Sequence, residues 1–175
     1  MVAFVPGVTP GKWERIWRER RLGTLTLVPL PQAGALEGLA DGSVHLAFLR
    51  DVVASEDRHA IQLYREQPVV VAPRDSLAAA LDRMDAADLA ALDVHPVDLL
   101  ADDGAAVVEL VAANVGVAVL PQSVARQHSR KDVVARPLTG VPDTGIALVW
   151  PVESPHPLTD VFIGVVRGRT ENSSR

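Results

Sequence analysis

The sequence predicts a protein of the α/β class with an open sheet of parallel strands. Short apolar runs that suit buried strands alternate along the chain with stretches in which apolar residues recur at helical spacing. A strand–helix–strand order favours parallel pairing, because parallel neighbours need a long crossover between them. The chain has 175 residues, of which 48% are hydrophobic, so it is long enough to bury a core.

The charge is distributed unevenly, which predicts two lobes. Residues 75–142 hold 10 acidic and 5 basic side chains, and this stretch accounts for the whole net charge of −5. We expect the two ends to combine in one lobe around an inserted second lobe, and a solvated acidic face is the alternative. The predicted bounds are 1–73 with 143–166 for the first lobe, 74–142 for the second and 167–175 for a flexible tail.

The first helix has strong local signals. Thr9-Pro10 supplies an N-cap residue followed by proline, and the pattern predicts a helix to about Arg21. Its inner face carries Trp13, Ile16 and Trp17, so both tryptophans are expected in the core or at an interface. Its outer face carries two pairs spaced for ion pairing, Glu14–Arg18 and Arg15–Glu19.

The other elements of the first lobe follow from apolar runs and from residues that end helices. Strands are predicted at residues 2–5, 25–30, 46–49, 69–72 and 146–150. A short helix at 35–39 is expected to end at Asp41-Gly42, and an amphipathic helix at 158–166 closes the lobe.

The middle of the chain predicts a smaller lobe of short elements. Helical pieces are expected at 77–81, 86–92, 107–113 and 123–127, with strands at 117–121 and 133–138. We expect Asp102 and Asp103 to cap the third of these helices, and Asn114 or Gly116 to follow its end.

Several kinds of chemistry are excluded by the residues. Cysteine is absent, so there is no disulfide, thiolate metal site or cysteine nucleophile. The glycine-flanked turn from Gly7 to Trp13 is not a P-loop, because only three residues separate its glycines and Trp13 follows the lysine. A strand-to-helix turn of this kind can still hold a carboxylate or a hydroxyl. The five histidines lack metal-ligand spacing, and no serine lies in a G-x-S-x-G elbow.

The sequence also predicts the cellular location of the protein and its independence of cofactors and metals. No stretch reaches the ~18 apolar residues of a membrane helix, and the start is too short for a signal peptide. We therefore expect a cytoplasmic protein that needs no cofactor or metal. The acidic balance speaks against binding nucleic acid through a broad cationic face.

The order of these elements resembles the effector-binding domain of LysR-type transcriptional regulators. The resemblance spans about residues 2–166, and no single motif is diagnostic. The segments that carry it are VAFVPG (2–7), WRER (17–20), LEGLADGSVHLAFLR (36–50), LYREQPVVVAPRDSLA (63–78), ADL (87–89) and ELVAANVGVAVLP (109–121). The resemblance implies the two-lobed fold of type 2 periplasmic binding proteins, in which the second lobe is inserted into the first.

The chain departs from the family pattern in two places. It begins on the first strand of the effector domain, so the helix-turn-helix and its linker helix are not expected, nor is direct DNA binding. The second lobe is short, because only residues 90–115 lie between Leu89 and Gly116. Residues 95–104 would have to replace a whole helix–strand unit.

The leading hypothesis is a small-molecule sensor domain of such a regulator, without enzymatic activity, that binds a small organic acid. The effector-binding candidates are Val8, Thr9, Phe48, Arg50, Pro121 and Gln122. Thr9 and Arg50 would hold a carboxylate, and Gln122 would close from the other lobe. For Arg50 the alternative is a surface ion pair with Asp51 or Glu56.

The competing hypothesis is an interaction module that has lost ligand sensing and that dimerises with itself or with a related regulator. The resemblance implies that the first helix of one subunit faces the second lobe of another. The candidate interface residues are Trp13, Arg15 and Arg18, which would meet an acidic lobe.

Overall fold

The chain divides into two units, each built on a five-stranded sheet. The computed structural model describes residues 1–98 and 101–168. Unit 1 comprises Met1–Gln62 and Ala147–Arg175, and unit 2 comprises Leu63–Ile146. Of the predicted tail at 167–175, residues 169–175 lie outside the described residues.

Unit 1 is an α/β unit in which the first strand lies between two parallel neighbours. Its elements are β1 (Val2–Phe4), α1 (Gly11–Glu19), β2 (Leu27–Pro29), α2 (Gln32–Asp41), β3 (Leu46–Arg50), β4 (Arg58–Glu66), β10 (Thr144–Pro151) and α6 (Thr159–Val166). The strand order is β2-β1-β3-β10-β4, and β4 and β10 each continue into unit 2. Ala3 is in register with Val28 on one side and with Ala47 on the other.

Aromatic rings form part of the core of unit 1. The Trp13 ring stacks on Phe48, with centroids 4.6 Å apart and planes 7° apart. Phe162 meets the edge of Phe48 at 6.1 Å and lies 5.7 Å from Trp17. Helix α1 therefore packs close to α6, as its predicted aromatic face requires.

Unit 2 is built around one central strand. Its elements are β5 (Pro68–Pro73), a 3₁₀ turn (Leu77–Ala80), β6 (Met84–Asp85), α3 (Ala86–Leu89), β7 (Val94–His95), α4 (Gly104–Ala112), β8 (Val117–Pro121), α5 (Gln122–Gln127) and β9 (Val133–Thr139). The strand order is β6-β9-β5-β8-β7. Strand β5 pairs antiparallel with both β8 and β9, whereas β6–β9 and β7–β8 are parallel.

The two faces of β5 belong to two apolar clusters. Val69 and Val71 pack with residues of α4 and α5 on one face, while Val70 and Ala72 pack with Met84 and others on the opposite face. This alternation is the period-two geometry of a strand, and it buries the sheet on both sides. The apolar sequence of β5 follows from that double burial.

The sequence-based assignment of β5 is wrong in its partners and its lobe. The run at 69–72 is a strand, but it pairs antiparallel inside unit 2 rather than parallel in the first lobe. A run that is apolar at every position indicates burial on both faces, and it cannot say in which direction its neighbours run.

Three strands have no counterpart in the prediction. Strand β4 is missed because most of its side chains are polar and only part-buried, as suits a strand at the edge of a sheet. Strands β6 and β7 have two residues each, too few for a periodic signal. Strand β7 and the nine-residue α4 fill the short stretch between α3 and β8.

Helix ends were predicted better than helix starts. Helix α2 ends at Gly42 with φ 80°, and Asn114 follows the end of α4 with φ 63°, both as expected. The start of α1 is different, because Pro10 rather than Thr9 is its N-cap residue. Asp103 precedes α4, but its carboxylate accepts from the Asp98 N–H at 2.9 Å rather than from the helix.

Gly116 offers a test of backbone geometry in unit 2. Its φ is +65°, and a Cβ there would collide with the Asp93 carbonyl oxygen. We expect Gly116→Ala to lower the free energy of unfolding by about 2–4 kcal/mol, from left-handed strain plus overpacking. Gly42→Ala is the control, because Gly42 also has a positive φ, +80°, but a Cβ added there would meet no atom within 4 Å. We expect this variant to lose about 1 kcal/mol of unfolding free energy. Urea unfolding that gives equal losses would contradict this account.

Two negative findings concern the described residues alone. Within residues 1–98 and 101–168, none of the helices has the length and apolar character needed to cross a bilayer. Over the same residues, no three His, Asp or Glu side chains form a group that could hold a metal ion.

Candidate functional site

The carboxyl ends of β1 and β3 lie side by side in unit 1. Phe4 is in register with Phe48, and the Val5 N–H donates to the Phe48 carbonyl oxygen at 3.1 Å. The chain then turns through Gly7, whose φ is 86°, toward the start of α1. Ligands of open α/β sheets bind beyond the carboxyl ends of strands, so this turn is a candidate site.

Arg50 brings a positive charge to this turn. It is the last residue of β3 and is only 4% exposed. Its Nη2 donates to the Pro6 carbonyl oxygen at 3.2 Å, which ties the side chain to the turn that leads into α1. An ion pair with Asp51 or Glu56, the alternative predicted for Arg50, would involve a buried guanidinium rather than a solvated one.

Gln32 fixes the backbone of Arg50, and the sequence analysis missed it. Its Nε2 donates to the Arg50 carbonyl oxygen at 3.0 Å, and its Oε1 accepts from the Arg50 N–H at 2.8 Å. The side-chain amide of Gln32 thus makes the two backbone hydrogen bonds that a neighbouring strand would make at the end of β3. Gln32 begins α2 and is buried, whereas the predicted helix started only at residue 35. The sequence carries no signal for this role, because it depends on burial and on a contact across 18 positions of the chain.

The two Gln32 hydrogen bonds give a second test. We expect Gln32→Leu to lower the free energy of unfolding by about 2–4 kcal/mol, because the N–H and carbonyl of Arg50 lose their partner in a buried place. Gln62→Leu is the matched control, since Gln62 donates to the Val52 carbonyl at 2.8 Å in an exposed position. We expect the control to lose less than about 0.5 kcal/mol. Equal urea midpoints for the two variants would show that the buried Gln32 hydrogen bonds stabilise the fold no more than the exposed Gln62 bond does.

The predicted contact residues of unit 1 have different accessibilities. Thr9 is exposed beside the turn, while Val8 is buried next to it. Phe48 is 0% exposed and lies against Trp13 and Phe162. A ligand cannot reach a side chain that is enclosed by other rings. The direct contact predicted for Phe48 is therefore corrected to a packing role in the core of unit 1.

The predicted residues of the second lobe lie in unit 2. Pro121 ends β8 and Gln122 begins α5, with the Gln122 side chain exposed. The Gln122 N–H donates to the Gln67 carbonyl oxygen at 3.1 Å. Beside it, Ser123 Oγ donates to Glu66 Oε2 at 2.9 Å, a pair for which the sequence has no signal.

The three predicted interface residues behave differently. Arg15 and Arg18 are exposed on α1 and form the expected i,i+4 pairs, at 3.9 Å with Glu19 and at 3.6 Å with Glu14. Trp13 is only 5% exposed because its ring stacks on Phe48. It is therefore a core residue, and its predicted place in an interface is corrected.

Comparison with protein families gives one match. The model of the LysR substrate binding domain matches residues 23–95 and 91–171. No sequence among the curated proteins matches the chain.

Solved structures of low sequence identity share the fold. Full-length CbnR bound to its target DNA superposes with a TM-score of 0.75 and 18% identity, over 96% of this chain and 69% of that one. The reduced regulatory domain of OxyR from Pseudomonas aeruginosa gives 0.75 and 19%, over 96% of this chain and 94% of that one. The BenM effector-binding domain with its effector benzoate gives 0.73 and 15%, over 97% and 93%. Both units thus have counterparts in effector-binding domains of the two-lobed, periplasmic-binding-protein-like type.

Proposed function

The chain belongs to the LysR substrate binding domain family, and on that premise we propose that it senses a small effector that carries a carboxylate. The domains of this family are ligand-sensing parts of transcriptional regulators. The family match supports sensing in general, and the residues around the β1–α1 turn support the choice of a carboxylate.

The observation that carries this choice is the placement of Arg50. Its guanidinium is buried at the carboxyl end of β3 and reaches the turn before α1. A guanidinium in such a place forms charge-assisted hydrogen bonds to a carboxylate, which are about twice as strong as neutral ones. The first N–H groups of α1 and the exposed hydroxyl of Thr9 add donors on the same surface.

We propose Pro121 and Gln122 as the effector-binding residues of unit 2. They lie where β8 ends and α5 begins, again at the carboxyl end of a strand. A neutral amide such as that of Gln122 can bond either a carboxylate oxygen or a hydroxyl on the effector.

Calorimetric titration with a panel of small organic acids tests the proposal. Benzoate belongs in the panel because BenM, a structural neighbour, binds it as its effector. We expect at least one acid to bind saturably with one site per chain, and the corresponding amide not to bind. A folded sample that binds no member of the panel would refute carboxylate sensing.

A second candidate is dimerisation through α1. Arg15 and Arg18 are exposed, and unit 2 carries the excess of acidic residues, with Glu109 exposed on α4. Sedimentation at low and high salt distinguishes the two candidates. A dimer whose dissociation constant rises steeply with salt supports this interface, and a salt-insensitive monomer rejects it.

The remaining assignments are proposals of the same kind. We propose that the chain acts in the cytoplasm, catalyses no reaction and makes no direct contact with DNA. Contact with DNA would then be made by a partner regulator or by a separate DNA-binding domain. Gel-shift assays with this chain alone are expected to show no shifted DNA.

A further inference from the structure

The last residue of β3 extends beyond the neighbouring strand β1. The Phe48 carbonyl accepts from the Val5 N–H at 3.1 Å, and backbone groups two residues apart along a strand point to the same side. The N–H and carbonyl of Arg50 therefore point to the side of β1 as well. That strand has already ended at Phe4, and the chain turns at Gly7 with a φ of 86°. The end of β3 thus needs a hydrogen-bonding partner from another element.

Gln32 supplies this partner with a single side chain. Its Nε2 donates to the Arg50 carbonyl oxygen at 3.0 Å, and its Oε1 accepts from the Arg50 N–H at 2.8 Å. A side-chain amide offers a donor and an acceptor together, as a peptide group does. Gln32 is only 9% exposed, so water competes little for either bond.

Helix α2 holds Gln32 in place. Gln32 is the first residue of the helix. Toward the other end, the Val44 N–H donates to the Gly38 carbonyl oxygen at 2.8 Å, and a Cβ on Gly38 would lie 2.6 Å from Val44 Cγ2. Because Val44 leads into β3, the helix is attached near the beginning of that strand as well as at its end. A side chain on such a rigid element is held more precisely than one on a loop.

The guanidinium of Arg50 projects from the backbone that Gln32 holds. Its Nη2 reaches the Pro6 carbonyl oxygen at 3.2 Å, and the next residue, Asp51, has a φ of 51°, so the extended chain ends there. Without the Gln32 bonds, Arg50 would be the frayed end of a strand. A ligand would then have to order this residue on binding, at a cost of roughly tenfold in affinity.

We propose that Gln32 is a positioning residue for the effector, which acts through Arg50 rather than by touching the ligand. The inference rests on the proposed sensing of a carboxylate. Gln32→Met keeps the length of the side chain but removes its donor and acceptor, and it is expected to weaken binding of the tightest acid roughly tenfold. Removing the guanidinium itself costs more, because in Gln32→Met the charge of Arg50 is still present.

A double-mutant cycle tests whether the effect passes through Arg50. Calorimetric titration compares the wild-type chain, Gln32→Met, Arg50→Gln and the double variant. We expect the roughly tenfold loss when Arg50 is present and a change of less than about twofold when it is replaced by glutamine. The same factor in both backgrounds would mean that Gln32 contacts the ligand itself or that its loss weakens the whole unit, and it would overturn the positioning role.

A second variant and a measurement without ligand separate positioning from stability. Val165→Ala removes buried methyl groups on α6 and leaves Gln32 and Arg50 unchanged, so it should bind the acid as the wild type does at a temperature where it is folded. In NMR spectra without ligand, the Arg50 Nε proton should exchange with water about tenfold faster in Gln32→Met than in the other two chains. Equal exchange in all three would overturn the proposal.

The failure of this inference can be distinguished from the failure of carboxylate sensing. If carboxylate sensing is wrong, the wild-type chain itself binds no acid, and the positioning role falls with it. If the wild type binds an acid and Gln32→Met binds it equally tightly, the positioning role alone is overturned.

Discussion

Replacing Arg50 with glutamine is expected to weaken binding of the tightest acid in the panel by roughly 30-fold to several thousand-fold. The estimate corresponds to about 2–5 kcal/mol for removing one partner of a buried charged pair. The loss is large because Arg50 is 4% exposed, so little water can replace its hydrogen bonds to the carboxylate. Calorimetric titration of the wild-type chain and Arg50→Gln measures the ratio of the dissociation constants.

Two further variants make this measurement specific. Arg50→Lys keeps the charge but loses the planar fork, so we expect an intermediate affinity. Arg58→Gln removes an arginine of the same unit that pairs with Asp57 at 3.0 Å near the surface, and it should bind as the wild type does. If all three variants bind the acid equally, Arg50 does not hold the carboxylate.

Replacing Phe48 with alanine is expected to lower the free energy of unfolding of unit 1 by about 3–5 kcal/mol. The ring is completely buried, stacks on Trp13 at 4.6 Å and meets the edge of Phe162 at 6.1 Å. Its removal leaves a cavity and two aromatic rings without their partner. Urea unfolding followed by tryptophan fluorescence measures the change, because Trp13 reports directly on the contact.

Val161→Ala is the matched control for this substitution. Val161 lies on α6 in the same unit, but 38% of its surface is exposed, so we expect a loss below about 1 kcal/mol. Similar losses in the two variants would contradict a core role for Phe48. Binding of the effector by Phe48→Ala at low temperature, where the variant is still folded, would show that Phe48 acts through stability rather than by contact.

The α/β class could be predicted from sequence because apolar runs and helical periodicity are local signals. The runs at 46–49 and 117–121 lie within the observed strands β3 and β8. The direction in which neighbouring strands run could not be predicted from these local signals. The run at 69–72 is apolar throughout, and only its two antiparallel neighbours, which come later in the chain, assign it to unit 2.

In the candidate site, too, local sequence signals predict the position of a residue but not its long-range contacts. The position of Arg50 at the carboxyl end of β3 could be predicted, because the apolar run at 46–49 marks that strand. Gln32 could not, because its role depends on a contact across 18 positions of sequence with the backbone of Arg50. Trp13 was predicted at an interface and Phe48 at an effector contact, because sequence spacing gives the face of a helix or strand but not the ring that covers it.

Amide chemical-shift mapping tests carboxylate sensing most directly. One uniformly labelled sample is titrated with the tightest acid of the panel and, separately, with its amide. The account predicts saturable shifts with a single dissociation constant at Val8, Thr9 and Arg50 in unit 1, with the acid only. Shifts that never saturate, that occur equally with the amide, or that are confined to residues away from the β1–α1 turn would contradict an effector site there.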